Sequence, residues 1–147
     1  MLKGIPTLIS SDLLKALADM GHGDIIVIAD DFYPPYSKSP NAQSIQAKGC
    51  TAPEMMDAIL TLFPVDVDYC EHPIQYMVPD KDANITIDRP KTWDEGIEVA
   101  QKHGINATSV GEIERTKFYE KAYDARVTVC TSEQRPYGCF ILQKGVK

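Results

Sequence analysis

The sequence predicts an α/β fold: a single domain with a central, largely parallel sheet and helices packed on its faces. Three observations carry this. Amphipathic helical segments alternate with short apolar strands along the chain. The most apolar segment, Ile25-Ile26-Val27-Ile28-Ala29, is continuous rather than alternating, the pattern of a strand buried on both faces. The 147 residues contain no internal repeat, low-complexity tract or dividing linker, so residues 1–147 form one domain large enough to bury a core.

Each element follows from local chemistry. Ser10 or Ser11 is placed to cap a first helix whose apolar positions are Leu13, Leu14, Leu17 and Met20. Gly21 stands where a left-handed residue is expected after its last turn. After the Ile25–Ala29 strand, residues 31–41 are rich in Pro, Ser and Tyr and read as a loop. Thr51 and Glu54 form a capping box for a helix through Met55, Met56, Ile59, Leu60 and Phe63, which Pro64 ends. A strand is expected at 74–78. The next helix carries the same capping pair, Thr92 and Glu95, and stops near Gly104. Residues 106–110 read as a short strand, and 114–123 as a helix with Phe118 and Ala122 inward. Residues 126–130 and 138–142 read as the last two strands.

Composition narrows the function. A net charge of −6 with no basic stripe argues against a nucleic-acid partner, since phosphate binding needs clustered Lys and Arg. Cys50, Cys70, Cys130 and Cys139 form no CxxC pair and are expected to be reduced, mostly buried thiols. Cys70-x-His72 lacks the second half of a metal site. The amino-terminal residues lack the apolar region of a signal peptide, and the longest aliphatic run is too short to cross a membrane. The expectation is a soluble cytoplasmic protein without a membrane partner.

Four places offer chemistry. His22, in Gly21-His22-Gly23-Asp24, lies on open backbone and has an imidazole suited to proton transfer near neutrality; a loop His at a helix end is the plainer reading. Asp30 follows the most apolar strand, at the edge where open α/β sheets gather ligands, with Asp31 its competitor. Arg115 opens a helix with a fixed fork of donors, or is a solvated surface cation. Glu133-Gln134-Arg135-Pro136-Tyr137-Gly138-Cys139 is a turn leading into the last strand, where Tyr137 offers a flat face and a hydroxyl, or is an ordinary packed turn. Tyr119 and the loop aromatics Phe32, Tyr33 and Tyr36 are further candidates. The chain has no GxGxxG, P-loop, HExxH or GxSxG. Simple acid–base chemistry, with no cofactor and no metal, is therefore favoured.

The chain resembles the L-fucose mutarotase family, and more distantly D-ribose pyranase. The resemblance rests on Leu13-Leu14-Lys15, Met20-Gly21-His22-Gly23-Asp24, Asp30, Pro34, Arg115-x-x-Phe118-Tyr119-Glu120, Tyr137-Gly138 and Lys144-Gly145-Val146, and is loose between about 42 and 110. It implies an isomerase that interconverts the α and β anomers of a free monosaccharide, L-fucose above others, by cofactor-free ring opening and closure. It implies His22 as the proton donor, and Asp30, Arg115 and the Tyr137-Gly138-Cys139 segment as the sugar-binding residues. Cys139 departs from the family's Asn, exchanging an amide's donors and acceptor for a weakly bonding thiol.

His22 and Asp30 stand eight positions apart, roughly 26 Å if extended. Either the Gly-rich segment folds back, or neighbouring subunits share one pocket; the resemblance implies a cyclic homo-oligomer with sites near subunit interfaces. Three rival readings are a non-catalytic sugar-binding or regulatory protein, a pentose pyranase, and a metal enzyme using His22, His72 and His103.

Overall fold

A computed structural model describes residues 2–147. Helix α1, Ser11–Asp19, begins where Ser10 accepts the Leu13 N–H at 3.1 Å and buries Leu13, Ala16 and Leu17. Met20 then leaves it in extended conformation, so Gly21 is not the left-handed residue. The turn is closed instead by Asp24, whose carboxylate accepts the Gly21 N–H at 2.8 Å, and Gly23 takes the positive φ of 85°.

Strand β1, Ile25–Ala29, is buried at every position. Its neighbours explain this: β5, Val127–Thr131, pairs on one side in parallel, and β6, Phe140–Gln143, pairs on the other antiparallel. The other strands are β2, Gln43–Ala47; β3, Ile74–Val78; and β4, Val110–Glu114. The sheet order is β2-β5-β1-β6-β3-β4, parallel except at the two junctions of β6.

Successive strand residues face opposite sides, which divides the apolar residues into two cores. Helices α1, α3 (Ala52–Leu60) and α4 (Lys91–Lys102) cover Ile26, Ile28, Phe140 and Leu142. Helix α5, Arg115–Ala122, covers Val27, Ala29 and Ile141, with Phe118 and Ala122 fully buried one turn apart.

Several expectations are corrected. Thr51 caps α3, accepting the Glu54 N–H at 3.2 Å, but the helix ends at Leu60, before Phe63. Thr92 caps nothing: α4 starts behind Pro90, and the buried Thr92 hydroxyl has no partner. The strand expected at 106–110 is a 3₁₀ turn, Ala107–Ser109, capped by Asn106, with β4 following it. The 31–41 loop contains one helical turn, α2, Pro35–Lys38. The last two strands lie one and two residues later than expected at their starts.

Topology decides what shares an edge. The carboxyl ends of β1 and β4 and the start of the antiparallel β6 lie on one edge of the sheet, which gathers Asp30, Arg115 and Tyr137. The residue before β1 and the residues after β6 lie on the other, which takes His22 and Lys144.

Candidate functional site

At the first edge a cavity of about 420 Å³ opens beside Asp30, a volume in the usual range for small-molecule sites. Asp30, Tyr33, Arg115, Tyr119, Tyr137 and Cys139 are among its lining residues. Asp30 is half-buried. Its carboxylate accepts the Phe32 N–H at 3.0 Å, and its own N–H donates to Cys139 Sγ at 3.3 Å. Burial raises its pKa above the usual carboxylate value, against the Phe32 and Tyr33 amides that favour the charge.

Arg115 stands at the exposed start of α5. Asp80, from the loop after β3, anchors that start by accepting the Thr116 N–H at 2.9 Å and hydroxyl at 2.7 Å. The Arg115 guanidinium lies 4.9 Å from the centre of the Tyr119 ring, and Lys38 Nζ lies 4.7 Å from it. Burial raises the Tyr119 phenol, with Arg115 opposing. Tyr33 donates to or accepts from Ser39 Oγ at 2.9 Å, and burial pushes its phenol well up. Asp31 turns away, to Lys48 and Gln134.

Tyr137 has a φ of 56°, the only positive value among the described non-glycine residues. Gly138 is buried rather than cavity-lining; a Cβ there would fall 2.6 Å from Glu133 Cγ. Cys139 is 1 % exposed, and burial drives its thiol well above the ordinary value. Its sulfur therefore meets the cavity as a neutral group that also holds the Asp30 backbone.

His22 is not in this cavity. It lies at the opposite end of β1, 41 % exposed, with Nε2 3.0 Å from Asp66 Oδ1 and its ring 5.1 Å from that of Tyr69, edge-on. Asp66, 3 % exposed, also accepts from Gln143 Nε2 at 2.9 Å. Burial alone would raise this carboxyl, but the Gln143 and His22 hydrogen bonds hold it below its usual value. The carboxyl-terminal residues build the platform: the Gly23 N–H donates to Lys144 O at 2.8 Å, and Lys144 Nζ reaches the α1 carbonyl of Leu17 at 2.8 Å. Lys144 is thus a structural partner of the His22 turn, and Gly145 packs against Val65 and Asp66.

Asp66 was not singled out by its sequence. It lies two residues past Pro64 and is marked only by the neighbours that β6 brings. The three histidines go separate ways, His22 to Asp66, His72 towards Glu71 and His103 to Asp57. No group of three potential metal ligands occurs among the described residues. A larger hollow of about 550 Å³ beside Phe63 and Ile105 is mainly apolar, and its His103 is already engaged by Asp57 at 2.6 Å.

A mostly parallel sheet with a tyrosine-walled cavity at its carboxyl edge, holding one carboxylate and one guanidinium, defines a protein built to hold a small molecule. The chain belongs to the RbsD / FucU transport protein family, whose pattern matches residues 3–147. It is 40 % identical over 149 aligned residues to the fucose mutarotase of Homo sapiens, covering 99 % of this chain and 94 % of that protein. It is 36 % identical to the L-fucose mutarotase of Actinobacillus pleuropneumoniae, covering 99 % and 97 %. The crystal structure of a fucose mutarotase from Streptococcus pneumoniae in complex with L-fucose superposes with a TM-score of 0.88 at 39 % identity, covering 99 % of both chains. The Bacillus subtilis RbsD structure complexed with D-ribose, at 23 % identity and a TM-score of 0.72, shares the fold.

Proposed function

We propose that this chain is an L-fucose mutarotase, an isomerase that interconverts the sugar's α and β anomers. The observation that carries the reading is the Asp30 cavity, in a chain matched from end to end by fucose mutarotases. A half-buried carboxylate and an arginine fork suit hydroxyl groups, and aromatic walls suit the apolar face of a sugar ring.

Mutarotation removes the proton of the anomeric hydroxyl while a proton reaches the ring oxygen. The hemiacetal C–O bond opens, the aldehyde carbon presents its other face, and the reverse transfers close the ring. One positioned acid and one base suffice, without a cofactor or metal. His22 is the proton donor in this reading. Asp30, Arg115 and Tyr137 orient the sugar, and Tyr119 adds a phenol beside Arg115. Asp66 supports His22 by holding its Nε2.

β1 pairs in unbroken register with both neighbours, and its five residues alone span roughly 16 Å. His22 and Asp30 of one chain therefore do not face one sugar. A cyclic homo-oligomer resolves this: the projecting His22 turn of one copy enters the Asp30 cavity of the next. Exposed Val67 and Tyr69 beside His22, and Phe32 and Tyr36 beside Asp30, give both ends an apolar surface to cover. No described helix is long and apolar enough to cross a membrane, and a cytoplasmic enzyme acting on free sugar fits the family.

Saturation-difference proton NMR on equilibrated L-fucose tests this, with D-ribose alongside. Transfer between fucose anomers well above the buffer rate is expected. Exchange confined to ribose would reassign the protein as a pyranase, and binding without exchange would make it a sugar-binding protein.

A further inference from the structure

Helix α4 supplies no lining residue to the Asp30 cavity, yet two of its side chains reach the loop that carries Tyr137. Trp93 Nε1 donates to the Tyr137 carbonyl at 3.1 Å. Two residues further along the helix, Glu95 accepts from Arg135 Nη1 at 2.8 Å. Arg135 passes the restraint on to Glu133, 2 % exposed, through Nε at 2.9 Å and Nη2 at 2.8 Å.

Glu133 is the junction. Its side chain also accepts the Ala52 N–H at the start of α3, 3.3 Å away, and its carbonyl accepts the Asp31 N–H at 2.8 Å. The same residue thus ties the Tyr137 loop to the Asp30 turn. Gly138, where a Cβ would strike Glu133 Cγ, lets the loop lie against this junction. Between the two anchors sits Tyr137 in its left-handed conformation, one that a bulky residue keeps only when its surroundings impose it.

We propose that Trp93 and the Glu95–Arg135–Glu133 relay are positioning residues for sugar binding: they hold Tyr137 in its left-handed conformation, in register with Asp30. Trp93 does not line the cavity, and its role is the indole N–H. The ring itself is stacked on Tyr76, with centroids 5.1 Å apart, and phenylalanine preserves much of that packing. The indole N–H has no counterpart in phenylalanine.

The proposal rests on the fucose mutarotase reading, so its test has one readout without sugar. Trp93→Phe and Glu95→Gln are compared with wild type by amide hydrogen exchange over residues 134–139 in sugar-free protein, by thermal midpoint, and by the KM and saturated rate of fucose anomer exchange. Loss of one hydrogen bond is expected to speed loop exchange and raise KM about fivefold in Trp93→Phe, with a smaller rise in Glu95→Gln. The saturated rate should fall far less than KM rises. A variant with a lowered midpoint and saturated rate but unchanged KM would show a merely structural role and overturn the proposal. Loop exchange identical to wild type in both variants would overturn it whatever the sugar result. A wild type inert towards fucose would instead remove the functional reading and leave the loop measurement to decide.

Discussion

The two ends of β1 are built in opposite ways. At the carboxyl end, Asp30 is half-buried in a hollow, and its partners Cys139 and Phe32 come from backbone and thiol. At the amino end, His22 stands out from the surface on a platform made by Asp66, Tyr69 and Lys144. One end receives and the other projects. In the proposed mechanism, an acid that meets its substrate in a neighbouring subunit belongs on a projection, whereas an acceptor that discriminates among hydroxyls belongs in a recess.

The sharpest way to break this contrast is His22→Ala. Positioned proton transfer typically contributes on the order of 10²- to 10⁴-fold, so fucose exchange should fall to near the spontaneous rate while the far-ultraviolet dichroism stays native. Survival of exchange would assign the donor elsewhere, with Tyr119 next in line. Mixing His22→Ala with Asp30→Asn under conditions that reshuffle subunits sharpens it further. If each site takes His22 from one copy and Asp30 from another, random assembly restores about a quarter of wild-type sites. No recovery in demonstrably mixed oligomers would place both residues in one copy's site.

A gentler probe is Cys139→Asn, which returns an amide to the wall beside Asp30. Its oxygen can take over the Asp30 N–H and its nitrogen can reach a sugar hydroxyl, so KM for fucose should drop by about fivefold, the worth of one hydrogen bond. A rise in KM would mean that the recess is fitted to sulfur. The smallest effect is expected from pH. Burial would raise the Glu133 carboxyl, but Arg135 outweighs it and holds the folded value below 4.5. A depressed carboxylate stabilises the fold fully above its unfolded value and loses that contribution as pH falls through the folded one. The thermal midpoint should therefore decline below about pH 4.5, and Glu133→Gln should decline less steeply from a lower starting point.

The same contrast explains what was legible in the sequence. α1 and β1 were readable because Ser10, the Leu13–Leu17 stripe and the unbroken Ile25–Ala29 run are local signals. β2 was invisible: Gln43-Ser44-Ile45-Gln46-Ala47 is an edge strand with a single fully buried residue, so its sequence carries little apolar pattern. Thr92 and Glu95 match the capping spacing, but Pro90 fixes the helix start, Thr92 is buried without a partner for its hydroxyl, and Glu95 is taken by Arg135. In the candidate site, Asp30, Arg115, Tyr137 and Cys139, which the resemblance implies as sugar-binding residues, line one cavity together with Tyr119, whereas Gly138 and His22 lie outside it. Asp66 and Trp93 escaped notice because each acts on a residue about 40 or more positions away, and Glu133 reads only as the start of the Tyr137 turn; such links form only when the sheet is assembled.

β6 has a consequence for how the molecule comes to exist. It is the last strand in the chain and the seam between the β2-β5-β1 half of the sheet and the β3-β4 half. Until it arrives, β1 has one open edge, and its other partner, β5, is itself late: Thr131 reaches the Ala29 carbonyl across 102 positions. A nascent chain on the ribosome can thus form helices early but no finished sheet. Such distant pairings make folding slow and concerted. A chain cut just before Phe140 should lose the whole domain rather than one strand, since neither half-sheet is left with a covered edge.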